Sequence, residues 1–172
     1  RMLAKAATLG ADMVFLDLED AVAPLEKTDE TRAKVVRALR EHAWVAPTRV
    51  VRVNGVATRW CYRDIAYVVE HAGDALDCVM IPKVESAAHV HFADHLLSQL
   101  EADLGLERRL GLELQIEAVG RNPADVEQVV DESHQVAHLP ADDLVRPGGG
   151  VAAETVALED LQAGPDWGER IA

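Results

Sequence analysis

Two observations predict a parallel α/β fold for this 172-residue chain. Strand-like runs alternate with amphipathic helical runs in units of roughly 30 residues, the mark of strand–crossover–strand connections. Apolar residues make up 49% of the chain and charged residues 27%, enough to bury a core and unlike a disordered composition. Aromatics are only 4%, so Leu, Val, Ile and Ala have to build that core. Such a sheet is either open and doubly wound or part of a (β/α)8 barrel, and both place function beyond the carboxyl ends of the strands.

The elements follow in order. RMLAKAATLGAD opens with an amphipathic helix over residues 2–9, closed by Gly10. DMVFLDL (12–18) reads as a strand. EKTDETRAKVVRALREHA (26–43) reads as a helix with Val35, Val36 and Leu39 on one face and charges on the other. TRVVRVNG (48–55) is a β-branched strand ending in the Asn54-Gly55 turn signal. CYRDIAYVVEHAG (61–73) is a helix that Gly73 stops. DCVMIPKVE (77–85) is a strand that Pro82 ends, and residues 86–105 form a long helix opened by Ser86. RLGLELQIE (109–117) is a strand. Residues 122–133 form a helix with Asn122 as cap and Pro123 at its first position, and QVAHLPAD (135–142) a short strand. From Val145 the rhythm breaks into glycines and prolines, with a short helix candidate at 151–163. No Lys-Ser or Lys-Thr follows the glycine run, so it reads as a loop and not a phosphate cradle. The expected division is a barrel-type domain over 1–144 and a divergent tail over 145–172.

Several function classes recede. Net charge is −13 and Lys and Arg are scattered, which argues against nucleic acid and anionic membrane as partners. No apolar run approaches the ~18 residues of a membrane span, and the opening is not a signal peptide. Cys61 and Cys78 have no metal or redox spacing, so a reducing cytoplasm is expected. The chain does not begin with Met and is expected to be a piece of a longer one.

Chemistry-bearing residues collect at the strand ends. The first strand presents Asp17, Glu19 and Asp20, and the second Arg52, Asn54 and Gly55. The third presents Lys83 and Glu85, the fourth Glu113, Gln115 and Glu117, and the last Asp142 and Asp143. Buried carboxylates there need partners. A hard divalent cation such as Mg²⁺ is one, and internal ion pairs among Glu113, Lys83 and Arg52 are the other. Elsewhere the plainer readings hold. His89, His91 and His95 lie on a solvated helix face, Cys61 and Cys78 are packed small residues, and Lys27 and Arg32 belong to a solvated surface. Trp60 and Tyr62 either pack or line a pocket.

FLDLEDAVAP, VVRVNG with the following WCYRDI, MIPKVES and GLELQIE stand at four successive strand ends. From Arg1 to about Glu117 they resemble the citrate lyase beta-subunit-like family of CoA-ester lyases, its malyl-CoA and citramalyl-CoA lyase branch above all. The resemblance implies a (β/α)8 barrel, here a partial one of about five to six parallel strands because the family's first strand and last units are not found. It implies an Mg²⁺-dependent carbon–carbon lyase acting on a CoA thioester and a small 2-oxo acid, with Mn²⁺ as a substitute metal. An aldolase on free 2-oxo acids, or an inactive remnant of the family, is the alternative. Glu117 and Asp142 match the metal ligands, and Arg52 matches the arginine that grips the 2-oxo acid. Glu19 and Asp20 match the catalytic acidic pair, and Arg52, Asn54 and Lys83 are expected to bind substrate. Trp60 and Tyr62, where they do not simply pack, would line the CoA or acyl pocket. A full-length chain is expected to be a homo-oligomer, since a neighbouring subunit contributes to the site in this family.

Overall fold

Alternation decides the first strand. In the computed structural model, which describes residues 5–106 and 110–116 and the backbone of 153–157, β1 spans Met13–Asp17. Val14 and Leu16 are fully buried against the helices, and Met13 and Phe15 face the other side half-buried. β2 (Thr48–Arg52), β3 (Cys78–Val84) and β4 (Gly111–Ile116) follow, separated by α1 (Asp29–Glu41), α2 (Cys61–Ala72) and α3 (Ala87–Leu104). Each strand pairs in parallel with its neighbour. With β5 (Ala153–Ala157) the spatial order is β4-β3-β2-β1-β5. This is a partial parallel sheet as expected; four of its five described strands are predicted ones, and the fifth, β5, is not.

The helices bury their apolar stripes on one face of the sheet. Val35 and Leu39 of α1, Ile65 and Val69 of α2, and Val90 and Leu97 of α3 meet Leu16, Val51 and Ile81 in one cluster. α3 ends at Gly105, whose φ of 62° is left-handed and whose N–H returns to the carbonyls of Ala102 and Glu101. The buried Glu101 carboxylate then accepts the Leu110 N–H at 2.6 Å, which ties the end of α3 to the entry of β4.

Four expectations need correction. The predicted helix over 26–43 is two pieces, a 3-10 turn at Pro24–Glu26 and then α1 from Asp29. Lys27 lies between them because its side chain is drawn inward by three oxygen acceptors. Pro82 does not end β3, which runs on to Val84. Ile81 faces Leu114 and Val84 faces Ile116, so β3 carries one extra residue there. This bulge absorbs the proline that lacks an N–H for the ladder. Arg32 and Lys27 are not solvated surface, as the site shows. Residues 153–157, placed within a helix candidate, are a strand beside β1. Ala and Glu favour a helix and Thr155 and Val156 a strand, so the unpaired edge of β1 decides. The predicted elements at 122–133 and 135–142 lie outside the described residues. Among the described residues, no helix is long and apolar enough to cross a membrane.

Leu16 tests the core directly, since it is 0% exposed between the sheet and its helices. Leu16→Ala is expected to lower the unfolding free energy by about 2–5 kcal/mol, read from urea denaturation.

Candidate functional site

Parallel pairing brings the carboxyl ends of the strands to one rim, and register decides which side chains meet there. Asp17 is the register partner of Arg52 across β1 and β2. Both therefore project from the same face of the sheet. Arg52 donates from Nε to Asp17 Oδ1 at 3.0 Å and from Nη2 to Oδ2 at 2.5 Å, a bidentate fork. Asp17 is 2% exposed. The hydrogen bond to Asp17 raises the Arg52 pKa above its ordinary value against the opposing effect of burial, so the guanidinium stays charged.

The same carboxylate turns the chain. Asp17 Oδ1 also accepts the Glu19 N–H at 2.8 Å, and Oδ2 the Ala21 N–H at 3.2 Å. The turn carries the next two acids back to the guanidinium. Glu19 Oε2 lies 3.5 Å from Nη1 and Asp20 Oδ2 3.5 Å from Nη2. Across the rim, Nη1 reaches Gln115 Oε1 of β4 at 3.5 Å.

Lys83 arrives from β3 because of the bulge. Regular alternation would place residue 83 on the helix side with Ile81. The extra residue hands that side to Val84, which is 0% exposed, and turns Lys83 to the rim with φ at 53°. Its ammonium sits 2.5 Å from Glu19 Oε1 and 3.7 Å from Asp20 Oδ1. Glu19 thus has its close ion pair on one oxygen. Its other oxygen, Oε2, is buried and has no hydrogen-bond partner among the described residues. Leaving such an atom without a donor costs about 1–3 kcal/mol, which a ligand, water or cation at the rim would recover.

Next to this cluster opens a cleft of about 440 Å³, lined in part by Glu19, Lys27, Asn54, Trp60, Lys83 and Glu85. The Lys27 ammonium lies 5.4 Å from the centre of the Trp60 ring and donates to the Leu18 and Glu19 carbonyls and to Asn54 Oδ1. Burial lowers its pKa, opposed by Asp64, Glu19, Asp17 and Asp20. Asn54 is 2% exposed, and its Nδ2 donates to Asp64 at 2.6 Å and to the Leu18 carbonyl at 3.0 Å. Asp64 in turn accepts from Arg32 Nε at 2.7 Å. The cleft therefore joins a polar rim to a wall whose polar atoms are engaged by protein partners.

The chain answers to a known profile over most of this region. Residues 1–149 match that of HpcH/HpaI aldolase/citrate lyase. The chain belongs to this family. It is 40% identical over 129 residues to the L-malyl-CoA/beta-methylmalyl-CoA lyase of Cereibacter sphaeroides, covering 75% of this chain and 40% of that protein. It is 38% identical over 104 residues to the citrate lyase subunit beta of Leuconostoc mesenteroides subsp. cremoris, covering 60% of this chain and 33% of that protein. The chain thus spans about 40% or less of the length of these relatives. In fold it is similar to the malate synthase of Haloferax volcanii, with a TM-score of 0.64 and 22% identity over 80% of this chain and 42% of that one.

In this member of the HpcH/HpaI aldolase/citrate lyase family, Arg52, Glu19, Asp20 and Lys83 come together at the rim. Asn54 lines the cleft, with its carboxamide committed to Lys27, Asp64 and Leu18. Trp60 lines the cleft as well, whereas Tyr62 is 59% exposed. Glu117 and Asp142 lie outside the described residues. Among the described residues, no group of three His, Cys, Asp or Glu side chains is arranged to hold a metal. Glu113 is half-buried, with its carboxyl pushed above the ordinary value by burial. His91 and His95 stack 6.3 Å apart on an exposed helix face.

Two features escaped the sequence reading. Asp17, and not Glu19 or Asp20, holds Arg52 in a fork, and only strand register reveals that. Lys27 and Arg32 were expected at a solvated surface. Lys27 is only partly exposed and Arg32 only 4% exposed, because Asn54 and Asp64 meet them from across the fold.

Asp17→Asn places an amide nitrogen where each oxygen now accepts two donors. The variant is expected to lose about 3 kcal/mol of stability in urea titration, the cost of stranding one partner of a buried pair. The cysteines give a second check. Burial pushes the Cys61 and Cys78 thiols up to about 12. Ellman's reagent at pH 8 is expected to find no reactive thiol in the native protein and both after denaturation.

Proposed function

We propose that this chain carries the rim of a carbon–carbon lyase that splits a 3-hydroxyacyl-CoA, such as malyl-CoA or citramalyl-CoA, into an acyl-CoA and a 2-oxo acid. The observation that carries this reading is the guanidinium of Arg52. Its Nε and one Nη2 hydrogen are taken by Asp17, while its other N–H groups make only 3.5 Å contacts with Glu19, Asp20 and Gln115, which the carboxylate of a 2-oxo acid would replace. The 40% identity to a malyl-CoA/beta-methylmalyl-CoA lyase supports the same substrate class.

Breaking the bond sends its electrons into the thioester half, which leaves as an enolate, while the hydroxyl of the other half loses its proton and becomes the 2-oxo carbonyl. The rim suits this charge flow. Arg52 fixes the 2-oxo half, and Asp17 and Glu19 keep its plane from turning. Lys83 brings a second positive charge to the same edge. The unsatisfied Glu19 Oε2 suits a hydrated divalent cation, whose water has hydrogens to donate. We assign Glu117 and Asp142 as the residues that would hold Mg²⁺, or Mn²⁺ in its place. When bound, the metal supplies Lewis-acid polarisation of the 2-oxo carbonyl. The buried, unpaired thiols suit a reducing cytoplasm. The family also includes aldolases, so cleavage of a free hydroxy-oxo acid is the second reading.

The purified chain with L-malyl-CoA and Mg²⁺ is expected to release glyoxylate, trapped as its phenylhydrazone. Release should stop with a chelator and in Glu117→Gln, and fall about 10²-fold in Arg52→Lys, which keeps the charge but loses the fork. Glyoxylate release indifferent to chelator sinks the metal assignment. Cleavage of a free hydroxy-oxo acid without malyl-CoA turnover favours the aldolase reading.

A further inference from the structure

We infer that Lys27 is a positioning residue for the rim, clamping the backbone of Leu18 and Glu19 so that the Glu19 carboxylate stays against Arg52 and Lys83. The inference rests on the function proposed above for its kinetic consequence, but not for its structural one.

An ammonium has three hydrogens. All three of Lys27 have acceptors: the Leu18 carbonyl at 3.1 Å, the Glu19 carbonyl at 2.6 Å and Asn54 Oδ1 at 2.5 Å. None is left for an anionic substrate, although Lys27 stands in the cleft wall. What the ammonium holds is the segment that follows β1. Glu19 is gripped at both ends of its backbone, its N–H by Asp17 and its carbonyl by Lys27. Leu18 is gripped likewise, with its N–H donating to the Arg52 carbonyl at 2.8 Å and its carbonyl accepting from both Lys27 and Asn54. Two consecutive residues with both backbone groups engaged leave the Glu19 side chain little freedom.

The clamp is anchored in the helical layer. Asn54 is oriented by Asp64 of α2, which receives the Asn54 N–H at 3.0 Å and its Nδ2 at 2.6 Å. Asp64 is fixed by Arg32 of α1 at 2.7 Å, and Arg32 also reaches Asp29 at 2.9 Å. Charges alternate along this line from helix to rim: Arg32, Asp64, then Lys27 through Asn54. Each buried charge has an opposite neighbour or a set of oxygen acceptors, which is what makes the line tolerable at low exposure. Lys27 is its last member and the one that touches the loop.

The test compares Lys27→Met, which keeps the stem and removes the donors, with Lys27→Gln, which keeps two donors and guards against loss of folding. The first readout needs no activity. Amide hydrogen exchange of Glu19 and Ala21 should quicken roughly tenfold or more in Lys27→Met, with the amides of β2 and β3 unchanged and Lys27→Gln in between. Unchanged exchange at Glu19 and Ala21 overturns the inference, and so does acceleration spread evenly over the sheet, which reports general destabilisation. The second readout is malyl-CoA cleavage. A fall in kcat of roughly 10²-fold with KM within about twofold is expected for Lys27→Met. A raised KM with kcat intact makes Lys27 a substrate contact and overturns the inference. If the wild-type chain turns over no malyl-CoA, the lyase reading fails and the exchange result alone decides the role of Lys27.

Discussion

One carboxylate governs this rim. Asp17 accepts two hydrogen bonds from Arg52 and two from the backbone of the following turn. The first pair orients the guanidinium and the second starts the turn that brings Glu19 and Asp20 back to it, so one side chain links the arginine to the acids that surround it. A carboxylate this deeply buried is tolerable only because every contact it makes is a donor. Remove it and the loop loses its turn as well as Arg52 its plane. That dual dependence separates the site from an ordinary surface ion pair, which contributes little.

The surroundings follow from the same demand for partners. The chain is strongly acidic overall, at −13, yet Lys27 and Lys83 line the cleft and Arg52 stands beside it against Glu19 and Asp20. Each is neutralised locally by Asp17, Glu19 or Asp20, or by backbone oxygens. The result is a rim of opposed charges held in fixed geometry rather than a basic patch. Such an arrangement favours a ligand whose own charge is distributed, with an anionic end to meet Arg52 and an oxygen-rich end to meet a cation.

How much of this was legible from residue order depends on the kind of information each feature needed. Alternation and β-branching are local, so the strands containing Leu16, Val51 and Ile81 could be read, as could the helices that bury Val35, Ile65 and Val90. Charged residues at strand ends stand out against apolar runs, which is why Glu19, Asp20, Arg52 and Lys83 were found. Asp17 was visible too, but its role depends on being opposite Arg52, and register is a property of two strands. Lys27 meets Asn54, and Arg32 meets Asp64, only after the crossover packs, so neither pairing leaves a trace in local composition. Pro82 reads as a strand end unless the bulge that accommodates it is known. The strand at 153–157 has mixed local preference and is decided by the edge it joins.

That edge has a kinetic meaning. β1, β2, β3 and β4 pair in chain order, each across roughly one strand–helix unit. β5 instead pairs beside β1, so positions 13 and 153 become neighbours and the sheet closes over almost the whole chain on that side. Loop-closure entropy makes such a contact costly until the intervening elements have formed. The expected order of assembly therefore runs from β1 to β4, with the last strand docking onto the first. Pulse-labelled hydrogen exchange reads that order, and early protection of 153–157 would refute it. On this view the strand that carries Asp17 spends the early part of folding with one side uncovered, and the acidic turn that follows it sits where a like-charged chain is least inclined to add.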